Sequence, residues 1–379
     1  MTELEYRIAG AERASEGGMA EPMPIRAVVF EGPGRPSKIE QLLLDPPGPG
    51  EVLVRMAASG VCHSDLHVVD GEWERPSGVV LGHEGASIVE DVGPGVEHVR
   101  PGDLVVLSWT APCGRCTACV RGEQWLCSDP AGADHRLRER DVRLRRPDGT
   151  PIGAYSGIGT FGTHQVVAAS AAVPIDPRTP PEVAALIGCA VTTGVGAVRT
   201  TAAVRPGESV AVIGVGGVGL AAVMAARERG ADPVIAIDTS QEKLDLAEQA
   251  GADSAIHPHD APTVVAVDHA VECIGLVETV ELAVDLVRPG GIVTLVGMTP
   301  QGHRASFDVY RFVEDGKQIR GSNYGSAVPS RDFPRIASDY LAGRLPLDLL
   351  ITEQIGLDGL DGAFEAMRRG SGVRRVVRF

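Results

Sequence analysis

Cysteine and histidine are the residues of this 379-residue chain whose spacing most restricts their chemistry. Cys113, Cys116, Cys119 and Cys127 lie within fifteen residues, in PCGRCTACVRGEQWLC. Four thiolates that close together can complete a tetrahedron around one zinc, and a closed shell leaves no position for a substrate, so this metal would be structural. The surrounding prolines and glycines fit a lobe held by metal rather than by a core. Cys62 in GVCHSD, His83 in GHEG and Cys189 in IGCAVTTG are far apart. Two cysteines and one histidine with a fourth position open form a ligand set that polarises an alcohol or carbonyl oxygen. Spacing alone does not bring these three together. A lone cysteine reads more simply as a small buried hydrophobe and a lone histidine as a core residue. Their neighbours favour the metal: Asp65 could accept the second ring N–H of His83 and fix its tautomer, and Glu84 could serve as a supporting carboxylate. The simpler alternatives are Asp65 as a turn or cap residue and Glu84 as a buried ion-pair partner. Cys273, in AVECIG, has no matching partner and reads as core.

A second constellation binds phosphate. Gly214, Gly216 and Gly219, with Gly217 and Val218 between the last two, form G-x-G-x-x-G directly after the apolar run SVAVI. A helix predicted over 218–229 follows. The glycines permit a tight turn and close backbone approach, and the helix N-terminus offers unpaired N–H groups to a pyrophosphate. Asp238 stands nineteen residues after Gly219, at the end of VIAID. A carboxylate there accepts hydrogen bonds from the adenosine ribose and repels a 2′-phosphate, which favours NAD over NADP. Lys243 either touches the same ribose or is a solvated helix residue.

The elements that must position these groups follow from the apolar pattern. Over 25–106, short apolar runs punctuated by Gly and Pro predict an antiparallel, β-rich domain. From about residue 191, strand-like SVAVIG, VIAID, AVDHAVEC and GIVTLVG alternate with helix-like segments, the pattern of a doubly wound parallel sheet. After Tyr324 come helical patterns around 336–342 and 357–369 and a strand-like VRRVVRF, predicted to return to the first domain. The expected division is an α/β chain with a mobile tail over 1–24, a β-rich domain over 25–190, a Rossmann domain over 191–323 and a return over 324–379. Such a length calls for two cores.

Composition narrows the partners. Hydrophobic residues are 44% and charged residues 22% of the chain, a globular balance. No apolar run approaches the roughly 20 residues that cross a bilayer, and the acidic N-terminus lacks the features of a secretory signal, so no membrane partner and a cytoplasmic location are expected. A formal charge of −15 argues against nucleic acid. Six arginines crowd 135–146, but Glu139 and Asp141 interrupt them, which reads as a solvated hairpin or loop rather than a phosphate site. Seven cysteines without a signal peptide point to metal ligation or buried thiols rather than disulfides.

Taken together and in order, GVCHSDLH, GHEG, the four-cysteine lobe, IGCAVTTGVG and GVGGVG closely resemble the zinc-containing medium-chain alcohol dehydrogenases, over nearly the whole chain from Ile25 to Phe379. The resemblance implies a GroES-like catalytic domain interrupted by a Rossmann domain, with zinc and substrate in the cleft between them. It implies Cys62, His83 and Cys189 as ligands of a catalytic zinc supported by Asp65 and Glu84, with a second zinc in the lobe. Ser64 would take the alcohol proton and His67 would pass it to solvent by way of the cofactor ribose; capping of a helix by Ser64 and an exposed helix face for His67 are the alternatives. Arg374, and His63 where many relatives carry Arg, would contact the pyrophosphate. The segment 128–160 resembles the insertion of the dimeric animal-type and thiol-adduct-oxidising branches, while GSNYGSA departs from the Phe-Gly-Gly those branches often show. The expected activity is reversible oxidation of a primary or aromatic alcohol to the aldehyde with NAD(H), in a homodimer or a tetramer. The other readings are a glutathione- or mycothiol-dependent formaldehyde dehydrogenase, a nicotinoprotein with retained NAD, and a non-enzymatic zinc and dinucleotide-binding protein.

Overall fold

Residues that alternate between apolar and polar build strands with one face buried and one wet. In the computed structural model, which describes residues 21–36, 38–130, 142–261 and 266–379, such strands fill the first part of the chain. They are β1 (Met23–Phe30), β2 (Lys38–Leu44), β3 (Glu51–Gly60), β4 (Val79–Val80), β5 (Glu84–Val92), β6 (Leu104–Leu107), β7 (Leu144–Arg145), β8 (Pro151–Ala154), β9 (His164–Ala168) and β10 (Ala172–Pro174). Strands β1, β2, β7, β8 and β4 close a small barrel, and β10, β6, β5 and β3 form a sheet on which β9 also pairs with β3. Between β3 and β4 lies the short helix α1 (His63–Val69).

The middle of the chain is a six-stranded sheet in the order β13-β12-β11-β14-β15-β16, parallel at every pairing. Its strands are β11 (Val210–Ile213), β12 (Val234–Ile237), β13 (Ser254–Ile256), β14 (Val267–Glu272), β15 (Val287–Leu295) and β16 (Gln318–Gly321). Every residue of β11 and β12 is buried, as expected for strands covered on both faces. The covering helices are α2 (Gly217–Glu228), α3 (Gln241–Gln249) and α4 (Val277–Leu286), while the short α5 (Val309–Glu314) has no buried residue. Helix α2 buries the small side chains of Ala221, Ala222, Ala225 and Ala226 completely. Then follow α6 (Pro329–Leu341), β17 (Ile351–Ile355), α7 (Leu360–Arg368) and β18 (Arg374–Arg378). Strand β18 runs antiparallel to β3, with Val377 opposite Ser59, which carries the chain end back to the first sheet.

Three expectations are corrected. Met23 and Pro24, assigned above to the tail, belong to β1 and pair with Leu44 and Leu43, because the β2 register extends to them; residues 1–20 lie outside the described residues. The change of texture near residue 191 falls inside a continuous helical run, Pro181–Ala202, of 22 residues. That run is also long and apolar enough to cross a bilayer, contrary to the expectation that none reaches such a length. Most of it is buried inside the molecule, and it packs against α2 and β3 as a core helix. Of the arginine-rich stretch, 131–141 lie outside the described residues. The described Arg143, Arg145 and Arg146 pair with Glu51, Asp45, Glu31 and Glu40 around β7.

Candidate active site

Cys62 ends the extended path after β3 and caps α1, whose first turn presents Ser64 and Asp65. The Asp65 carboxylate is fully buried and accepts three hydrogen bonds: from the Cys62 N–H (3.3 Å), the Gly82 N–H (3.1 Å) and the His83 Nδ1–H (3.1 Å). Burial disfavours a charge on His83, but the Asp65, Cys189 and Cys62 charges outweigh it and hold the imidazole well above its usual range. With Nδ1 kept as the donor to Asp65, Nε2 is the nitrogen that a cation would take in place of a proton. Nε2 is buried and has no hydrogen-bond partner. The ligand atoms of Cys62, His83, Glu84 and Cys189 all lie within 4.8 Å of one another. An orphaned imidazole nitrogen facing two buried sulfurs fits a soft divalent cation, since an unpartnered polar atom is otherwise costly to bury.

Charge in this cluster is strongly coupled. Hydrogen bonding to Cys189, then the Arg374 and His83 charges, hold the Cys62 thiol well below its usual range against burial, while sharing with Cys62 and burial push Cys189 well above it. Burial pushes Glu84 up to about 8 although Arg374 opposes it. Sequence reasoning placed Glu84 only in support; here its carboxylate is within ligand reach of the cluster and 3.8 Å from the Arg374 guanidinium. Ser64 Oγ lies 3.8 Å from Cys62 Sγ. On the next turn of α1, His67 Nδ1 meets Glu72 Oε2 at 2.5 Å and the ring packs on Trp73 at 4.9 Å. Glu72 follows the end of α1, where no periodicity points to it, and sequence reasoning missed it.

The glycine turn sits at the C-terminal end of β11. Gly214 has φ +84°, and a Cβ on Gly219 would stand 1.8 Å from the Gly214 carbonyl oxygen, so both positions demand glycine. A Cβ on Gly216 would meet nothing within 4 Å, so the turn is open on that side. Val215 N–H and Ser240 N–H each donate to the Asp238 carboxylate at 2.9 Å, which fixes it beside the turn. Val218 is half-buried on α2, and Lys243, half-buried on α3, stands near enough to His63 for its charge to bear on that imidazole. Burial, then the Arg374 charge, push His63 down to about 4, so at neutral pH its imidazole is uncharged. Arg374 joins the two sites: a Cβ on Gly217 would lie 2.5 Å from its Nε, and its other end faces Glu84.

These features have close counterparts. Residues 48–177 match the alcohol dehydrogenase GroES-like domain and residues 217–342 match the zinc-binding dehydrogenase domain. The S-(hydroxymethyl)glutathione dehydrogenase of Escherichia coli O139:H28 is 37% identical, covering 94% of this chain and all of the relative. The chain belongs to the zinc-binding alcohol dehydrogenases. Two crystal structures agree: an alcohol dehydrogenase zinc-binding domain protein from Burkholderia ambifaria (33% identity, TM-score 0.91, 95% of this chain and 100% of that one) and the benzyl alcohol dehydrogenase of Acinetobacter calcoaceticus (31%, 0.89, 94% and 99%). Membership makes the protein an oxidoreductase and sets aside the non-enzymatic reading.

The lobe of this dehydrogenase gathers Cys113, Cys116, Cys119 and Cys127 with their sulfurs within 4.8 Å of one another. Backbone N–H groups of Cys113, Cys116 and Cys119 donate to Cys127, Cys113 and Cys116 sulfurs at 3.3, 3.2 and 3.5 Å. Bonds from the Cys119 and Ser128 N–H groups bring Cys116 down to about 5, the charge state a cation requires. Cys273 lies at the end of β14, outside both metal clusters, with burial pushing its thiol up.

Facing Cys189 is a segment that sequence reasoning noted only as a departure from relatives. Tyr324, Gly325 and Ser326 all have positive φ (53°, 65° and 53°), at a cost of about 1–2 kcal/mol for each non-glycine residue. The Tyr324 ring is buried against Trp109 at 4.4 Å, and its hydroxyl donates to the Gly188 carbonyl at 2.5 Å.

Proposed function

We propose that this dehydrogenase transfers hydride reversibly between a primary or aromatic alcohol and NAD, in a cleft between its two domains. The carrying observation is the meeting of Cys62, His83 and Cys189 around an unpartnered His83 nitrogen, with Arg374 linking that cluster to the glycine turn. In this reading those three residues hold the catalytic zinc, and the four lobe cysteines hold the structural one. Zinc supplies Lewis acidity toward the substrate oxygen and NAD the hydride acceptor. Asp65 orients the His83 ring. Ser64 takes the alcohol proton, and His67, partly exposed and backed by Glu72, releases it to solvent. No hydrogen bond joins Ser64 to His67 among the described residues, so the proton needs an intervening hydroxyl or water. Arg374 and the N–H groups at the start of α2 receive the pyrophosphate, with His63 as a neutral contact. Asp238 selects the unphosphorylated ribose, with Lys243 beside it.

Residues before 191 and after 323 form the catalytic domain in this reading, with the Rossmann domain between and the helical run Pro181–Ala202 as the seam. Free thiols in both clusters suit a reducing compartment, which supports a cytoplasmic location. A homodimer is supported by β16, an edge strand with Ile319 exposed, and by exposed Phe307, Val309, Tyr310 and Val313 just before it.

The likeness to a benzyl alcohol dehydrogenase supports an aromatic alcohol. The likeness to S-(hydroxymethyl)glutathione dehydrogenase supports a second reading, oxidation of a thiol adduct of formaldehyde. Metal analysis with an alcohol and aldehyde panel, run before and after extensive dialysis and with and without added NAD and low-molecular-weight thiols, decides between them. Two zincs per chain and benzyl alcohol oxidation that requires free NAD are expected. Formaldehyde turnover that requires added thiol would replace the first reading with the second, and NAD retained through dialysis would identify a nicotinoprotein.

A further inference from the structure

We infer that the Tyr324 hydroxyl is a positioning group for Cys189, delivered to the metal site by the connection that leaves the Rossmann sheet. The inference rests on the reading of Cys62, His83 and Cys189 as zinc ligands. Cys189 lies in Ile187–Val191, where the helical run widens to π geometry. Such a widening disturbs the usual ladder of backbone hydrogen bonds and frees carbonyls for other partners. Both carbonyls just before Cys189 are taken by side-chain hydroxyls. Thr192 Oγ1 donates to the Ile187 carbonyl at 2.6 Å, and Tyr324 donates to the Gly188 carbonyl at 2.5 Å.

The two donors differ in origin. Thr192 belongs to the same helical run, whereas Tyr324 comes from 136 residues away in the chain. The Gly188 carbonyl is part of the peptide plane that contains the Cys189 nitrogen, so holding that oxygen restricts the direction in which the Cys189 side chain leaves the backbone. The Gly188 α-carbon is crowded by β6 as well, since a Cβ there would stand 2.9 Å from the Leu107 carbonyl oxygen. The backbone beside the ligand is therefore gripped between β6 and the tyrosine.

Tyr324 is itself firmly held. Its ring lies 4.4 Å from Trp109 and 6.4 Å from Phe333, and a Cβ on the adjacent Gly325 would lie 2.5 Å from the Thr192 carbonyl oxygen. The Gly188 carbonyl can only accept, so the tyrosine proton lies in the 2.5 Å bond to it rather than toward the Ser108 oxygen 3.4 Å away, whose own proton goes to the Thr110 carbonyl at 2.8 Å. Phenylalanine would fill the same space and would leave the Gly188 carbonyl without this donor. A left-handed tyrosine at this point gives the molecule a hydroxyl at the metal ligand's own peptide.

The test uses Tyr324→Phe in the full chain, with Cys189→Ala and Asn323→Ala beside it. Asn323 holds the same turn through a 3.0 Å bond to the Trp125 carbonyl, without touching Gly188. Zinc content and competition with a chelator are measured on the zinc enzyme, and thiolate-to-metal absorption on the cobalt-exchanged enzyme, taking the bands lost in Cys189→Ala as the report of this site. Tyr324→Phe is expected to shift those bands and to weaken zinc at this site about ten-fold, the low end for loss of an outer-shell partner, while Asn323→Ala leaves both unchanged. Unchanged bands and zinc affinity in Tyr324→Phe would overturn the positioning role, as would an equal effect from Asn323→Ala. Cys189→Ala that still retains two zincs would instead overturn the ligand assignment beneath it.

Discussion

His63, proposed above as a pyrophosphate contact, is a side chain whose surroundings keep it uncharged at neutral pH. Burial and the nearby Arg374 push it down to about 4, so at pH 7 Arg374 is the charged one of the two. Replacing His63 with Arg adds a permanent cation whose repulsion with Arg374 is relieved when a pyrophosphate arrives. His63→Arg is therefore expected to tighten NAD binding several-fold, about 1 kcal/mol for one added charge-assisted contact, and to lower the melting temperature of the cofactor-free protein. Equilibrium titration with NAD and a thermal melt check both halves; an unchanged Kd would remove residue 63 from the pyrophosphate site. In His83, Nδ1 is spoken for by Asp65 and Nε2 is buried without a partner. His269 also has one ring nitrogen on a carboxylate, Glu208, and the other buried without a partner, so what sets His83 apart is that its ligand atom lies within 4.8 Å of the Cys62 and Cys189 sulfurs.

At the scale of elements, the Rossmann sheet is tied together at the end opposite the glycine turn. Asp268 on β14 accepts from the Ser209 hydroxyl at 2.6 Å and N–H at 2.8 Å, just before β11, and from Arg288 Nε on β15 at 2.7 Å. Burial would raise its carboxyl, but these bonds outweigh burial and bring it down to about 2. A folded value below the unfolded one contributes stability that is fully present above about pH 4 and is lost as pH falls through about 2. Asp268→Asn is expected to lower the unfolding free energy by about 1–2 kcal/mol near neutral pH, the upper figure discounted for partial exposure. Urea unfolding of both proteins at several pH values should show that gap narrowing between pH 4 and 2. A gap that stays constant would assign the loss to packing rather than charge. The strands themselves were legible beforehand, because fully buried parallel strands are uninterrupted apolar runs such as VAVI and VIAI. The run Pro181–Ala202 was less legible. Its small, apolar residues carry no amphipathic stripe, since it is surrounded by protein on most sides.

At the scale of the whole molecule, one edge of the sheet is unpaired among the described residues. Strand β16 ends the six-stranded order, and its Ile319 is exposed, as are Phe307, Val309, Tyr310 and Val313 earlier in the chain. Two copies related by a two-fold axis can pair such edges and remove both from water. In the proposed homodimer, Ile319→Asp should convert dimer to monomer in sedimentation equilibrium at micromolar concentration. A dimer that survives the change would place the contact elsewhere.

Sequence alone determined the parts of this dehydrogenase that depend on neighbours in the chain. The four-cysteine lobe, the G-x-G-x-x-G turn and the β–α alternation each fall within a few tens of residues, so spacing encodes their geometry. Resemblance supplied the distant trio Cys62, His83 and Cys189, which spacing could not join. Tertiary structure decided what depends on approach across the fold: Glu84 drawn into ligand reach, Arg374 lying between glycine turn and metal cluster, Glu72 on His67, and the Tyr324 hydroxyl on the Gly188 carbonyl. Except for Glu72 on His67, these contacts join segments remote in the chain, and each depends on burial and hydrogen-bond direction, which no local pattern of residue types records.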